Sequence, residues 1–205
     1  VLRRRQRQMC IRDRVCTHRH QRGYSCTCCS SNGWWHARDD VNRLLLPLLG
    51  QFFFMKTDSL LAKIEAEISS GIDQKEGLQL ICKLLHDRIE SYDWVGYYLH
   101  HPEKKELVLH AYVGESTEHT NIPFGKGICG QVALSNKNFI VDDVNAQDNY
   151  IACSLDVKSE IVIPLFVHDK NIGQIDIDSH QLKAFTEKDA AFLTQVNRLA
   201  AKHLF

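Results

Sequence analysis

The chain has 205 residues, of which 44% are apolar and 9% aromatic, a composition typical of one folded domain with some additional length. Its longest apolar stretch, residues 44–55, is interrupted by Pro47, Gly50 and Gln51. This stretch falls short of the roughly 18 to 20 uninterrupted apolar residues that a membrane helix needs. The sequence therefore excludes a protein that crosses a membrane by such a helix.

The equal numbers of basic and acidic side chains, 25 of each, conceal two segments of opposite charge. Residues 1–54 carry ten arginines and three aspartates but no lysine or glutamate, which gives a net charge of +7. Residues 55–205 carry 15 basic and 22 acidic groups, a net charge of −7, and contain only three of the eight cysteines. We therefore interpret the two segments separately.

Residues 1–54 are open to three functional interpretations, each with a feature against it. A zinc site is suggested by Cys26, Cys28 and Cys29, but their spacing does not match the separated cysteine pairs of structural zinc sites. The early arginines suggest a nucleic-acid-binding arm or a targeting peptide, yet about thirty residues separate these charges from the apolar stretch. The segment lacks apolar periodicity and resembles a translated sequencing adapter, so we expect it to be a disordered, non-native extension.

Apolar periodicity predicts a domain over residues 55–205 that begins with two helices. Thr57 or Asp58 is the expected cap of the first, which ends near Gly71. Asp73 and Glu76 have the spacing of a capping box for the second. The predicted buried positions of the two helices are Leu60, Leu61, Ile64 and Ile68, and then Leu78, Ile81, Leu84, Leu85 and Ile89.

Strand periodicity follows Ser91. Two hairpins are predicted, the second joined at Asp169 and Lys170, and a last helix runs from Thr186 to His203. The predicted extended segments are 94–99, 107–113, 120–122, 139–142, 159–167 and 172–178, with a short helix at 128–135 after the third. Helices around an antiparallel set of strands indicate an α+β domain, with one sheet face covered and a pocket available on the other.

Acidic side chains cluster on the last predicted strand, G-Q-I-D-I-D-S at 173–179. Because side chains alternate along a strand, Asp176 and Asp178 point to one side, about 7 Å apart. A solvated sheet face is the commoner meaning of such a pair. However, Glu160 starts the partner strand, and aromatic residues on another strand can wall a cavity: Trp94, Tyr97 and Tyr98.

Three carboxyl groups in a partly apolar pocket cannot all ionise, because burial and mutual repulsion raise at least one pKa. Such a pocket is able to bind a cationic ammonium group and to donate a proton.

The three cysteines of the domain differ in their surroundings. Cys82 lies among apolar positions of the second helix and is expected to be a core residue. Cys129 lies in the glycine-rich turn at 125–130, and Cys153 lies in a predicted loop. Both cysteines are open to two interpretations, a buried structural thiol or a redox thiol. The glycine turn, which contains Lys126, lacks the spacing of a phosphate-binding loop.

These motifs together resemble the free methionine-(R)-sulfoxide reductases of the GAF fold. The resemblance is carried by W-V-G-Y-Y-L at 94–99, G-K-G-I-C-G at 125–130, D-D-V at 142–144, Y-I-A-C-S at 150–154, S-E-I-V-I-P-L at 159–165 and the acidic strand. It implies a six-stranded antiparallel sheet flanked by N- and C-terminal helices, and an enclosed pocket for free methionine sulfoxide.

The resemblance also implies residue roles. Cys153 would be the catalytic thiol, and Glu160, Asp176 and Asp178 would bind substrate and supply a proton. Asp143 would belong to the same acidic set, while Trp94 and Tyr98 would contact the methyl and thioether part of the substrate. His119 replaces the usual resolving cysteine, which leaves three alternatives: Cys129 resolves the sulfenic acid, an external thiol reduces it directly, or the chain has kept the pocket and lost efficient turnover.

The main prediction is therefore reduction of free L-methionine-(R)-sulfoxide in the cytosol, recycled by thioredoxin or glutathione. No bound cofactor or metal and no nucleic-acid or membrane partner is expected, and a homodimer is compatible with the sequence. A second hypothesis is a GAF sensor that binds a small ligand without chemistry, although an acidic pocket would repel cyclic nucleotides. A third makes Cys129 and Cys153 inert core thiols.

Overall fold

The computed structural model describes residues 57–147 and 156–205, which lie within one compact unit. Its helices are α1 (57–68), α2 (Gln74–Arg88), α3 (Gly127–Ser135) and α4 (Glu187–Leu204), with a short 3-10 helix at Val144–Ala146. Its strands are β1 (Trp94–His100), β2 (Glu106–Val113), β3 (Asn121–Pro123), β4 (Phe139–Val141), β5 (Ser159–Val167) and β6 (Lys170–Ser179). The predictions for residues 1–54 lie outside the described residues.

All six strands form one antiparallel sheet in the order β3-β2-β1-β6-β5-β4, which confirms the predicted α+β fold. The β5–β6 hairpin turns at His168 and Asp169, whose φ angles of 47° and 61° are those of a tight two-residue turn. The turn lies one residue earlier than predicted, because Lys170 already pairs with Val167. No helix in the described ranges combines the length and apolarity needed to cross a membrane.

One face of the sheet carries the larger core. Alternate residues of β5 and β6, including Ile161 and Ile177, are fully buried in one cluster with residues of α1, α2 and α4. Helix α4 packs against β5, and α2 packs against β1 and β2. Burial of such side chains is worth about 1.5–3 kcal/mol each and is the main force that holds the helices to the sheet.

Local caps fix where these helices begin. The carboxylate of Asp73 accepts a hydrogen bond from the backbone N–H of Lys75 at 3.0 Å and so caps α2. Thr186 and Asp189 form a reciprocal capping box at the start of α4, as Asp189 accepts from the Thr186 N–H at 2.9 Å.

The opposite face carries a smaller core beneath α3. Trp94, Tyr98 and Val162 project from the sheet there, and Ile128 and Val132 pack on them from α3. The second face is therefore partly covered, and the carboxyl groups predicted on β6 lie in this layer.

Candidate active site beneath helix α3

Three carboxyl groups meet on the α3 face of the sheet because of strand register. Glu160 pairs directly with Asp178, and Trp94 pairs with Asp178 from the other side. Directly paired residues of antiparallel strands project from the same face, so these side chains share one layer with Asp176. All three acidic residues are buried, and the most exposed of them, Glu160, is only 4% exposed.

A thiol completes the cluster from above. Cys129 lies in the first turn of α3, and its Sγ donates a hydrogen bond to Asp176 Oδ2 at 3.1 Å. The N–H of Gly125 donates to the carbonyl of Gly130 at 2.8 Å, which folds the preceding turn tightly against α3. A side chain on Gly130 would meet the Pro123 carbonyl at 2.6 Å, so only glycine permits this close approach.

The pKa values of the three carboxyl groups differ because their partners differ. Burial raises the pKa of Asp176 to about 7, a rise opposed by hydrogen bonds from Cys129 and Glu160. Burial is the main cause that raises the pKa of Glu160 well above its usual range, and the nearby Asp176 and Asp178 raise it further. Burial and Asp176 raise the pKa of Asp178 in the same way. The hydrogen bonds to Asp176 therefore favour its ionised form, whereas burial and the neighbouring carboxyl groups favour the protonated forms of Glu160 and Asp178.

Several buried polar atoms of this layer have no hydrogen-bond partner among the described residues. They are Oδ1 of Asp176, Oδ1 of Asp178 and both amide atoms of Gln174. An unpaired buried polar group costs about 1–3 kcal/mol, so these atoms indicate a site that is completed by a ligand or by water.

Strand β1 supplies an aromatic wall beside the carboxyl groups. The ring centroids of Trp94 and Tyr98 lie 6.3 Å apart. Gly96 lies between these two residues on the strand. The indole N–H of Trp94 donates to the carbonyl of Glu115 at 3.1 Å, and the Tyr98 hydroxyl donates to the carbonyl of His119 at 2.9 Å. Both rings are thus held by the loop between β2 and β3.

A narrow cleft opens to the surface beside this wall. It is lined by Asp93, Trp94, Glu115, Ser116, Thr117, Val157, Asp178 and His180. The cleft therefore connects solvent with both Trp94 and the buried carboxyl of Asp178.

The structure brings together six of the predicted site residues: Trp94, Tyr98, Cys129, Glu160, Asp176 and Asp178. Asp143 is half-buried and caps the 3-10 helix, where its carboxylate accepts from the N–H of Asn145 at 3.0 Å. A substrate contact for Asp143 stays a prediction, and Cys153 lies outside the described residues. Cys82 is fully buried on the opposite face, as expected, where burial raises the pKa of its thiol.

Three features of the site were not predicted. Gly96 leaves room for the Trp94 indole, which a Cβ at this position would overlap. The available signal was a glycine between two aromatic residues of the same strand face, Trp94 and Tyr98. Strand alternation predicted that Gln174 shares the face of Asp176 and Asp178, but not that both atoms of its buried amide lack a partner. The loop residue Glu115 contributes a backbone carbonyl, for which side-chain types give no signal.

Comparisons with known proteins agree with this geometry. Residues 72–204 match the GAF domain family. The chain is 38% identical over 113 residues to the free methionine-R-sulfoxide reductase of Escherichia coli, covering 55% of this chain and 67% of that protein. It is 35% identical over 145 residues to Protein YtsP of Bacillus subtilis, covering 71% and 88% of the two chains.

A solved structure extends the likeness to three dimensions. The free methionine-R-sulfoxide reductase of Neisseria meningitidis, in complex with its substrate, superposes with a TM-score of 0.68 at 35% identity. The match covers 72% of this chain and 87% of that one.

Proposed function

We propose that this chain, which belongs to the GAF domain family, reduces free L-methionine-(R)-sulfoxide to methionine. The observation that carries the proposal is the buried layer of three carboxyl groups and a thiol beside an aromatic wall. The similarity to reductases from two bacteria, at 35% and 38% identity, supports the same activity.

The carboxyl groups have separate tasks in this proposal. The Asp176 carboxylate, with a pKa of about 7, carries negative charge for the substrate ammonium group. Glu160 and Asp178 keep their protons and are placed to donate one to the sulfoxide oxygen. The rings of Trp94 and Tyr98 bind the apolar part of the substrate.

The proposed chemistry transfers oxygen from the sulfoxide to a cysteine. The Cys153 thiolate attacks the sulfoxide sulfur while a carboxylic acid protonates the oxygen, because an unprotonated oxygen is a poor leaving group. The attack forms a sulfur–sulfur bond, and the protonated oxygen becomes a hydroxyl group on the substrate sulfur. This hydroxyl group then moves to the cysteine sulfur as the sulfur–sulfur bond and the substrate's sulfur–oxygen bond break, so that methionine leaves with the electron pair and the cysteine becomes sulfenic acid. The sulfoxide sulfur of the substrate is reduced and the sulfur of Cys153 is oxidised, so the step needs no other oxidant or reductant.

A second thiol closes the cycle. We propose that Cys129 condenses with the sulfenic acid to form a disulfide and one water molecule, and that a dithiol of the thioredoxin class, or glutathione, reduces it. Cys129 takes this part because His119 occupies the position of the usual resolving cysteine. The cytosol, where such reductants are abundant, is the expected compartment.

The test is a reductase assay on the whole chain with dithiothreitol as reductant and methionine as the measured product. We expect activity on the free (R)-sulfoxide but not on the (S)-epimer or on peptide-bound methionine sulfoxide. Cys153→Ser abolishes turnover, Cys129→Ser slows recycling, and Cys82→Ala, on the opposite face, serves as the control.

The same assay separates the reductase from a ligand sensor. Full activity of Cys153→Ser would contradict the proposed mechanism. A sensor would bind without producing methionine, and a rise in the melting temperature with a cyclic nucleotide but not with methionine sulfoxide would favour that function.

A further inference from the structure

The thiol and two of the carboxyl groups have the arrangement of a metal-binding triad. One ligand atom each from Cys129, Glu160 and Asp176 lies within 4.8 Å of the other two, and all three residues are buried. A tetrahedral zinc ion with bonds of roughly 2.0–2.3 Å holds its ligands about 3.3–3.8 Å apart. An adjustment of roughly 1 Å therefore brings these three side chains to bonding distance.

A second observation points to a ligand at the same place. Oδ1 of Asp176 is buried without a hydrogen-bond partner, so this carboxyl has an oxygen available beyond the one that accepts from Cys129. Oδ1 of Asp178 is also unpartnered, and Asp178 lies directly opposite Glu160 in the sheet. An oxygen in this position can accept a hydrogen bond from a metal-bound water molecule and so orient the fourth ligand.

We propose that Cys129, Glu160 and Asp176 bind a zinc ion, with Asp178 as an outer acceptor. A thiolate selects zinc over magnesium or calcium, and two carboxylates complete three protein ligands with a fourth position open. Cys129 and Glu160 release their protons when zinc binds, and the ion then compensates the negative charge of the buried ligands. The sequence did not predict this site, because its ligands come from α3, β5 and β6 rather than from a spaced motif.

Zinc binding has a consequence that rests on the proposed reductase function. The ion binds the thiol of Cys129, which is the proposed resolving thiol. It also binds Glu160 and Asp176, which are proposed to protonate and to bind the substrate. Zinc therefore inhibits turnover, and methionine sulfoxide competes with zinc for the site.

The direct test measures zinc binding without substrate. The unfolding temperature of the whole chain is recorded against zinc concentration for the parent, Cys129→Ala, Glu160→Gln and Cys82→Ala. We expect zinc to stabilise the parent and Cys82→Ala equally, and the half-maximal concentration to rise at least about tenfold in the other two variants. The comparison isolates Cys129 because the cysteines outside the described residues are present in every variant and contribute equally to each zinc response.

A second readout identifies the ligand atom. Cadmium gives an ultraviolet thiolate-to-metal absorption band, and Cys129→Ala should lose one thiolate's share of it while Cys82→Ala keeps the parent band. Parent-like responses of both Cys129→Ala and Glu160→Gln would overturn the site, and Glu160→Gln decides alone if Cys129→Ala fails to fold. Because these titrations use no substrate, their outcome is independent of whether the chain is a reductase.

Discussion

Neighbouring carboxyl groups on one strand face have unequal acidity, and the difference depends on single contacts. Asp176 accepts from Cys129, whereas Oδ1 of Asp178 has no partner among the described residues. The sequence sufficed to predict that the carboxyl groups cluster and that at least one stays protonated. It did not predict which carboxylate is stabilised by the Cys129 thiol, because that depends on the position of Cys129 above Asp176.

The raised pKa of Asp176 makes the folded state less stable as pH rises. Above the unfolded pKa of 3.8 the unfolded chain releases this proton while the native state keeps it, until the native pKa of about 7 is passed. Over that window this group removes up to about 1.4 kcal/mol of stability per pH unit. We therefore predict that Asp176→Asn weakens the loss of stability between about pH 4 and pH 7, as measured by urea unfolding.

The control for this prediction is Glu90→Gln, which removes an exposed carboxyl outside the site. Its pH dependence should match that of the parent. An Asp176→Asn protein with the parent's full pH dependence would show that this carboxyl does not titrate as the structure indicates.

Strand β1 and the β5–β6 turn depend on backbone features that residue type alone predicts poorly. Strand β1 was predicted within one residue of its observed end, since its aromatic run is bounded clearly on both sides. The part played by Gly96 was missed, because its importance arises from the Trp94 ring that folds over it. The predicted turn of β5 and β6 was displaced by one residue, because His168, Asp169 and Lys170 are all polar and residue type alone does not decide which two of them form the turn.

Gly96→Ala tests how β1 positions the aromatic wall. The added methyl group overlaps the Trp94 indole, so we predict a loss of about 1–3 kcal/mol of stability together with a higher KM for methionine sulfoxide. Urea unfolding and steady-state kinetics measure the two effects.

Gly77→Ala is the matched control, because its methyl group meets Leu204 on the opposite face. It should lower stability without changing KM. Equal KM values for the parent and Gly96→Ala would mean that the Trp94 ring does not contact the substrate.

At the scale of the whole molecule, the sheet separates a stabilising core from a chemical layer. The change of apolar period along the chain was enough to predict an α+β domain and both hairpins. The cover of the second face by α3 was not predicted, because a helix of nine residues with apolar residues on all sides gives no facing direction.

Two adjacent tyrosines test this division, since they project to opposite faces. The Tyr97 hydroxyl donates to Asn197 Oδ1 at 2.9 Å in the helix-side core, and that of Tyr98 donates to the His119 carbonyl. We predict that Tyr97→Phe costs about 1–3 kcal/mol of stability, because the buried Asn197 Oδ1 loses its donor, with KM unchanged. Tyr98→Phe should raise KM by up to about tenfold, because it releases the loop beside the cleft.

Unfolding and kinetic measurements on the two variants form one comparison. A rise of KM in Tyr97→Phe as large as that in Tyr98→Phe would contradict the separation of the two faces.

The most direct test of the central claim is a single-turnover measurement on the reduced whole chain, mixed with free L-methionine-(R)-sulfoxide in the absence of external reductant. We predict that the parent forms methionine and that the double variant Glu160→Gln/Asp178→Asn does so about a hundredfold or more slowly, because both proposed proton donors are lost. Methionine formation by this double variant at the rate of the parent would contradict the claim that the buried acids drive the reaction.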